Sequence, residues 1–464
     1  MSGAAQGRFL TGSTMGHVVR MTATGAFGIT FVFLVDALNL FWLSYLGEPQ
    51  LVAAIGFAYA IQFFSVSSGI GLMIAGTAMI SQTIGRGDRE EARATAGASI
   101  AMATIIQFFV ALLVFLFRHD LIALAGAEGE TARLAARYLG MTVFSLVPMA
   151  ISMQLSGALR ADGFGAKAMY VTLFSGLTLL VVDPILIVTM GLGLDGAAYG
   201  LILFRFLLVG FAVVFAIRQE NLVAMPDRAC FERMLAPFFA IAVPTIATQM
   251  ATPFGNYLLT RVIAQFGDDA VAAWAVVSRL TVLVFGGIFS LSGAIGGIFG
   301  QNFGAGYIDR LKSTYRDALV FCLIYTLVAW ALLFFAAPYV ALAFDLDGQG
   351  AEVLQAFMTI GIGGFVFIGA LFVSNAAFNN LGKPTRSTIL NWFNHGVLSW
   401  PSAMGLALLF GAPGVIYGQA VAGTVTGLFA VIWGWKYVQS LQPSTQIPER
   451  TPRVHPNPDR YRIR

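Results

Sequence analysis

Several short motifs of this chain occur twice, and the second copy follows the first by about 219 residues. A glutamine and two glycines return at the same spacing, as Gln82, Gly85 and Gly87 in the first copy and as Gln301, Gly304 and Gly306 in the second. A Val-Ala-Ala motif at 52–54 also returns at 271–273. Because both copies consist mostly of apolar residues, this repeat is typical of a membrane transporter built from two lobes.

The composition favours a membrane protein. Hydrophobic residues make up 58% of the 464 residues and charged residues only 11%, whereas a soluble domain carries roughly 25% charged residues. The two cysteines, Cys230 and Cys322, imply no disulfide framework. The sequence contains no phosphate-binding loop of the P-loop type, so ATP is not expected to be the direct energy source.

Twelve apolar segments are long enough to cross a bilayer core, which needs about 20 residues. They cover approximately 21–45, 51–80, 94–117, 134–158, 167–190, 194–217, 236–263, 270–299, 316–340, 353–378, 385–409 and 413–438. The predicted fold is therefore an all-α membrane protein with twelve transmembrane helices in two six-helix lobes. Because each lobe has an even number of helices, both lobes have the same orientation in the membrane. They are therefore related by a pseudo-twofold axis along the membrane normal.

Charged residues divide the connections between these segments into two sides. The basic side carries most of the cationic residues and both termini: Arg86, Arg89, Arg93, Arg160, Lys167, Arg218, Arg228, Arg233, Arg310, Lys312, Arg316, Lys383, Arg386 and Lys436. The acidic side carries Glu48, Glu128, Glu130, Asp195, Asp268, Asp269, Asp345 and Asp347. The positive-inside rule places the basic side in the cytoplasm, so we expect a multi-pass protein of the inner membrane with both termini cytoplasmic.

These boundaries divide the chain into five parts. We predict a cytoplasmic N-terminal tail at 1–20, a first lobe at 21–217, an inter-lobe cytoplasmic linker at 218–235, a second lobe at 236–438 and a disordered, proline-rich cytoplasmic tail at 439–464.

Two aspartates, Asp36 and Asp183, lie deep inside apolar segments of the first lobe. A charge at the centre of a bilayer costs about 2.5 to 3.5 kcal/mol on insertion scales, so an acid at this depth is a candidate functional group. Burial favours the neutral form of a carboxyl group, which makes reversible protonation possible. The alternative is structural: Asp36 pairs within the helix bundle, and Asp183 satisfies backbone groups at the kink made by Pro184.

Further polar residues lie in or near the spans. Arg205, in the sixth span, either pairs with an acid such as Asp183 or contributes to function. In the second lobe, Arg279 either lines a cavity or reaches a membrane interface. His395 is a reserve proton carrier or a neutral, satisfied histidine. The remaining candidates for the cavity are Asn39, Gln154 and Asn256, the last of which lies near the position equivalent to Asp36 in the second copy.

The chain resembles the multidrug and toxic compound extrusion (MATE) family, and more narrowly its DinF-like branch, from Val35 to Gly434. The resemblance rests on motifs at 35–36, 46–47 and 52–56, on SQTIGRGD at 81–88, on GALRADG at 157–163, on DP at 183–184, on GLGLDGAAY at 191–199 and on QNFGAG at 301–306. It implies that Asp36 and Asp183 correspond to a pair of aspartates associated with cation coupling. The position of an essential glutamate in another branch falls near Thr252 here.

The chain departs from the archaeal members of this family at two positions near the second aspartate. Leu179 stands where they have an asparagine, and Leu201 lies near the place of an expected threonine. Hard cations are held by several oxygen ligands, so these losses favour a proton over sodium. The first span also lacks proline, and Gly25 and Gly28 are the nearest substitutes for a bending point.

The function predicted from these observations is cation-coupled antiport, with a proton as the coupling ion, that exports organic cations, drugs or amphipathic compounds by alternating access. We expect a monomer whose partners are a small organic substrate, protons and membrane lipid, with no cofactor, no metal, no nucleic acid and no catalytic residue. One alternative is a flippase for a lipid-linked saccharide, in which Arg205 and Arg279 meet a diphosphate. A remote alternative is an intramembrane aspartyl protease, for which Gly85 to Asp88 formally match a Gly-x-Gly-Asp pattern, but charged neighbours place Asp88 in a solvated loop.

Overall fold

The computed structural model describes residues 7–343 and 348–442, and helices account for nearly all of them. Asp345 and Asp347 of the predicted acidic side lie outside the described residues, as does most of the predicted C-terminal tail, from 443 onward.

The first lobe contains six spans, and the fourth, fifth and sixth are interrupted helices. Its helices are α1 (Thr14–Tyr45), α2 (Pro49–Gly85), α3 (Arg89–Leu116), the short α4 (Arg118–Leu124), α5 (Gly129–Thr142), α6 (Leu146–Ala161), α7 (Gly165–Pro184) and α8 (Gly193–Val213). Helices α5 and α6 together form the fourth span. A π-helical segment extends α7 to Thr189, and another extends α8 to Gln219.

The second lobe repeats this arrangement of six spans. Its helices are α9 (Arg228–Ile263), α10 (Asp268–Gly304), α11 (Ile308–Ala343), α12 (Gly348–Thr359), α13 (Phe365–Asn380), α14 (Pro384–Trp392), α15 (Ser399–Phe410) and α16 (Pro413–Ser440). Helices α12 and α13 form one span, and α14 and α15 form another. The predicted fold of twelve transmembrane helices in two lobes is therefore confirmed.

Eleven of the described spans are apolar enough to be identified from mean hydropathy alone. The remaining span, formed by α14 and α15, contains Asn391, Asn394 and His395 around the π-helical segment Phe393–Leu398. Its polar residues lower its hydropathy, so its place in the bundle follows from the repeat and from its packing rather than from its composition.

The repeat is also visible in the distortions of the helices. The fourth span contains a single 3-10 turn at Val143–Ser145, and the span of α12 and α13 contains one at Gly361–Gly364. These turns are about 219 residues apart, which is the spacing of the sequence repeat. Equivalent spans therefore bend at equivalent places.

The repeated motif is a contact between the two lobes. A Cβ built on Gly85 would lie 2.1 Å from the carbonyl oxygen of Gln301, and one built on Gly304 would lie 2.0 Å from that of Gln82. The end of α2 and the end of α10 thus pack backbone against backbone in a nearly symmetric pair. Glycine is required at both positions because any side chain would collide with the partner helix.

Side-chain hydrogen bonds between the lobes all lie in the basic half of the spans, in the part of the chain that the structure describes. Gln82 Nε2 donates to the carbonyl oxygen of Asn380 (2.8 Å), and Gln301 Nε2 donates to that of Ala161 (2.6 Å). Nearer the middle of the spans, Thr245 Oγ1 donates to the carbonyl oxygen of Gly71 (2.9 Å). The lobes are therefore joined at the basic side.

The N-terminal segment, residues 7–13, lies in this junction. Phe9 is 2% exposed and belongs to the buried apolar cluster of the second lobe, together with Val18 and Met21. The backbone N–H of Phe9 donates to Gln301 Oε1 (3.0 Å), and Arg310 Nη2 donates to the carbonyl oxygen of Phe9 (2.8 Å). Helix α1 begins at Thr14 rather than at the predicted residue 21, so part of the predicted tail at 1–20 is helix and part is a packed segment.

Helix α1 contacts both lobes. Its first half packs on α10, where Ser290 Oγ donates to the carbonyl oxygen of Thr22 (3.2 Å). Val35 and Leu43, in its second half, belong to the apolar clusters of the first lobe. The helix that carries Asp36 therefore connects the contact between the lobes with the interior of the first lobe.

Candidate functional site

Asp36 lies on the second half of α1 and is partly exposed. Its Oδ2 accepts a hydrogen bond from the hydroxyl of Tyr59 on α2 (2.8 Å). In the described ranges, 7–343 and 348–442, the Asp36 carboxylate forms no ion pair. Its charge can therefore be neutralised by a proton or a cation without first breaking a salt bridge.

Asp183 is 2% exposed, at the end of α7 just before Pro184. Its Oδ2 accepts a hydrogen bond from Asn39 Nδ2 (2.7 Å), which ties α7 to α1 three residues after Asp36. Its Oδ1 is buried and has no partner among the described residues. A Cβ built on Gly200 would lie 2.2 Å from this oxygen, so the oxygen packs closely against the backbone of α8.

Arg205 is 4% exposed and is held by neutral partners, not by an acid. Its Nη2 donates to Gln62 Oε1 (2.8 Å), and its Nη1 donates to Ser145 Oγ (2.8 Å) and to the carbonyl oxygen of Thr142 (3.2 Å). Asp183 is bound by Asn39 instead. The pairing of Arg205 with Asp183 that the sequence left open is therefore not formed.

Two residues of α2, Tyr59 and Gln62, were missed by the sequence analysis. They are three residues apart, so they lie on one face of the helix, and each binds a charged group of the first lobe: Tyr59 binds Asp36 and Gln62 binds Arg205. The sequence does contain a signal for them, because both are polar residues at helical spacing inside an apolar span.

We expect Arg205→Met to destabilise the protein. The substitution leaves the buried oxygens of Gln62 and Ser145 without a donor, and an unsatisfied buried polar group costs about 1 to 3 kcal/mol. The free energy of unfolding should fall by about 3 kcal/mol, measured as a lower thermal midpoint of the purified protein in detergent. Arg279→Met is the control: Arg279 is exposed, so its loss should change stability by less than about 0.5 kcal/mol. Equal midpoints for the two variants would contradict this assignment.

The second lobe has no acid at the position equivalent to Asp36. Thr252 Oγ1 lies 3.5 Å from His395 Nε2, and the His395 ring packs on Gly255, where a Cβ would lie 2.7 Å from Nδ1. Asn256 follows on the same helix and is exposed. His395 therefore packs against the part of α9 that carries Asn256. The two acidic candidates, in contrast, both belong to the first lobe.

Arg279 and Gln154 occupy different environments. Arg279 is exposed and lies two turns before Gly286 on α10, and Gly286 contacts Thr30 of α1. Arg279 thus lies in the part of α10 before the distortion at Phe285, whose φ and ψ are not helical. Gln154 is 2% exposed and packs against Gly76, and both of its amide atoms lack a partner in the described part of the chain. It lies inside the first lobe rather than on its surface.

Exposed aromatic side chains occur on α1, the helix that carries Asp36, and on two other helices. They lie on α1, α2 and α9 in the half of the spans near the acidic side: Phe33, Phe41, Tyr59, Phe63, Phe64, Phe254 and Tyr257. These helices carry the contact between the lobes in their other half, and Asp36 lies in the half that carries the exposed aromatic side chains.

Comparisons with known proteins agree with this architecture. The MatE family profile matches residues 26–185 and 244–405, one stretch in each lobe. The FAD transporter of Shewanella oneidensis is 25% identical over 434 residues, which cover 90% of this chain and 94% of that protein. The multidrug export protein MepA of Staphylococcus aureus is 22% identical over 400 residues, covering 85% of this chain and 88% of that protein.

A solved structure has the same fold. A mutant form of the Vibrio cholerae MATE transporter VcmN superposes with a TM-score of 0.86 at 24% identity, covering 92% of this chain and 98% of that one. The two matched stretches of the family profile together span more than half of the chain. This chain therefore belongs to the MatE family, whose members are membrane transporters and not enzymes.

Proposed function

We propose that this protein is a proton-coupled antiporter that exports amphipathic, aromatic organic compounds, including cations, from the cytoplasm. The observation that carries the proposal is the environment of Asp36: a partly exposed carboxylate on a helix with exposed aromatic side chains, with one tyrosine hydroxyl as its partner and no ion pair in the described residues. A cation in this space would meet the carboxylate, and a proton would remove the charge that attracts it.

The coupling ion we propose is the proton. Asp183 Oδ1 has no hydrogen-bond partner among the described residues, and Leu179 and Leu201 offer none of the side-chain oxygens that a hard cation such as sodium favours. A buried carboxylate oxygen without a partner is costly, and protonation removes the charge and supplies a donor. Asp36 accepts the proton in this mechanism, and Asp183 assists through Asn39 on the same helix.

Alternating access follows from where the lobes are joined. Their hydrogen bonds lie in the basic half of the spans, which the positive-inside rule assigns to the cytoplasm. We propose that the described conformation is closed to the cytoplasm and that substrate enters from there when the lobes separate. Inward movement of one proton down one pH unit supplies about 1.4 kcal/mol, and 100 mV adds about 2.3 kcal/mol. Together these sustain a gradient of roughly several hundred-fold for a neutral substrate.

The flippase alternative is less well supported. It relied on Arg205 and Arg279 to bind a diphosphate, but Arg205 is buried and already donates to three oxygens of the first lobe. Of these two arginines only Arg279 is exposed, so a diphosphate would meet one guanidinium rather than two. The relatives transport different compounds according to their names, FAD in one case and multiple drugs in the other, so we assign this chain a substrate class and not a single compound.

The test of this proposal is transport in proteoliposomes with pH and sodium gradients imposed separately. With ethidium as the probe, we expect a pH gradient without sodium to drive accumulation, and a sodium gradient at equal pH to leave uptake at the level of protein-free liposomes. Accumulation driven by sodium alone would contradict proton coupling. Absence of transport under both gradients would contradict the proposed substrate class.

A further inference from the structure

A polar cavity lies at the basic side of the first lobe, away from Asp36. It has a volume of about 330 Å³. Apolar residues of α2, α3 and α6 form its floor, and its rim is charged: Arg8, Arg89, Arg93, Asp162 and Glu220. None of these residues takes part in the proposed transport mechanism.

The charges of this rim are not balanced. Asp162 Oδ2 accepts a hydrogen bond from Arg89 Nη1 (2.8 Å), and Glu220 is bound by Lys167 outside the lining. Arg93 Nη2 donates to the neutral Asn221 Oδ1 (2.7 Å), and the Arg8 guanidinium carbon lies 3.8 Å from the centroid of the Phe164 ring. Each carboxylate thus has one cationic partner, although Asp162 Oδ1 is buried and accepts no hydrogen bond in the described ranges. Two guanidiniums, those of Arg8 and Arg93, have no carboxylate partner there.

Buried donors of the rim also lack partners. The Nε atoms of Arg89 and Arg93 are buried and make no hydrogen bond in the part of the chain that the structure covers. A guanidinium offers five N–H donors and no acceptor, and it binds phosphate oxygens in a bidentate manner. Because these donors outnumber the one unpartnered acceptor of the rim, Asp162 Oδ1, the cavity suits an anion better than a cation.

One wall of the cavity is held in place by the chain segment that links the two lobes, between the end of α8 and the start of α9. Asn221 adopts a φ of 51°, a left-handed conformation that asparagine tolerates better than most residues. The N–H of Ala224 donates to the carbonyl oxygen of Arg93 (3.0 Å), and a Cβ on Gly97 would lie 2.0 Å from the oxygen of Ala224. This connection is docked closely on α3, so Asn221 and Arg93 are fixed relative to each other.

Arg8 links the cavity to the contact between the lobes. It belongs to the N-terminal segment, whose next residue, Phe9, is bonded to Gln301 and Arg310 of the second lobe. The third arginine of the rim is thus positioned by a segment that is also bound to the second lobe. A ligand that uses Arg8 would favour the conformation in which this segment is bound, by the reciprocity of linked equilibria.

We propose that this cavity binds a phosphate group, carried either by free phosphate or by an anionic lipid headgroup, and that binding favours the conformation in which the lobes are joined at the basic side. This inference goes beyond the proposed function, because it concerns a second site that substrate does not need to enter.

The test is a binding measurement on the full-length protein with two sources of phosphate. Inorganic phosphate is titrated into protein in lipid-free detergent at constant ionic strength, and the thermal midpoint is compared in nanodiscs of phosphatidylcholine with and without phosphatidylglycerol. A rise with inorganic phosphate identifies free phosphate as the ligand. A rise only with phosphatidylglycerol identifies the headgroup. Arg93→Gln should weaken either response about tenfold, because it removes a charge-assisted contact.

Arg233→Gln is the matched control, since Arg233 is exposed on the same side and only loosely paired with Glu91 at 3.7 Å. It should respond as the wild type does. If Arg93→Gln does not fold, Arg8→Gln replaces it, because Arg8 lies on an exposed part of the N-terminal segment. The proposal is overturned if neither source raises the midpoint, or if the cavity variant and the control respond alike.

A second readout measures the conformation. Ser81 is fully buried against Gly300 where the lobes meet, so a Ser81→Cys variant without the native cysteines should be alkylated only when the lobes separate. The effective phosphate source should slow this alkylation at least about threefold, and Arg8→Gln should abolish the slowing. Unchanged alkylation would overturn the coupling between the cavity and the contact.

Discussion

We expect Asp36→Asn to reduce efflux of organic cations to the level of cells that lack the protein. The substitution keeps the size of the side chain and its capacity to accept a hydrogen bond from Tyr59, but it removes the group that we propose exchanges a proton for cargo. Because the coupling step is lost rather than weakened, the transport rate should fall by about 100-fold or more. Ethidium efflux from energised cells, normalised to the amount of protein in the membrane, measures this.

The control for this substitution is Asp195→Asn. Asp195 is also an acid of the first lobe, but it is bound to Arg137 at the acidic side. It should retain at least half of the wild-type efflux. Normal efflux by Asp36→Asn at normal protein levels would remove Asp36 from the mechanism.

A disulfide between α1 and the second lobe should also stop transport. Thr14 Oγ1 and Ser313 Oγ are 2.9 Å apart across the junction at the basic side, a separation that two cysteines can bridge with small adjustments. In a Thr14→Cys/Ser313→Cys variant without Cys230 and Cys322, oxidation should lower transport at least about tenfold. Reduction should restore it, because the lobes could then separate again.

The chain offers a matched control within one lobe. Thr248 Oγ1 and Thr388 Oγ1 are 3.0 Å apart, and both residues belong to the second lobe. A disulfide at this pair has nearly the same geometry but does not restrain one lobe relative to the other, so transport should persist after oxidation. Full activity of the oxidised Thr14–Ser313 pair would show that this junction does not open during transport.

The number and order of the spans could be predicted because each is a long apolar run with charges at its ends. The repeat also predicted two lobes, although its physical reason was visible only in the structure: Gly85 and Gly304 allow α2 and α10 to approach closely. The start of α1 was placed seven residues too late. Residues 14–20 include His17 and Arg20, and their helix is stabilised by contact with the second lobe rather than by hydropathy.

The partners of the charged residues could not be predicted from one sequence. Pairing inside a membrane joins helices that are far apart in the chain: Arg205 binds Gln62, which precedes it by 143 residues. Any acid of the first lobe was an equally good candidate for Arg205 by sequence alone. Asp36 and Asp183 could be predicted as candidate functional residues, because a charged carboxylate deep in an apolar span costs free energy.

The N-terminal segment illustrates a third limit. Residues 7–13 have no apolar run and no helical period, and they are held by backbone hydrogen bonds to Gln301 and Arg310. Such contacts depend on the complete junction between the lobes. The same segment continues into α1, so a movement of α1 that accompanies proton binding at Asp36 would act directly on this junction.

Protons released when substrate binds provide the most direct test of the exchange at Asp36. Calorimetric titration of the purified protein with an organic cation, in buffers of different ionisation enthalpy, gives the number of protons released per cation bound. We predict release of up to roughly one proton by the wild type at a pH where Asp36 is mostly protonated, and no release by Asp36→Asn. The same number of protons in both proteins would contradict the exchange of proton for cargo at this carboxyl group.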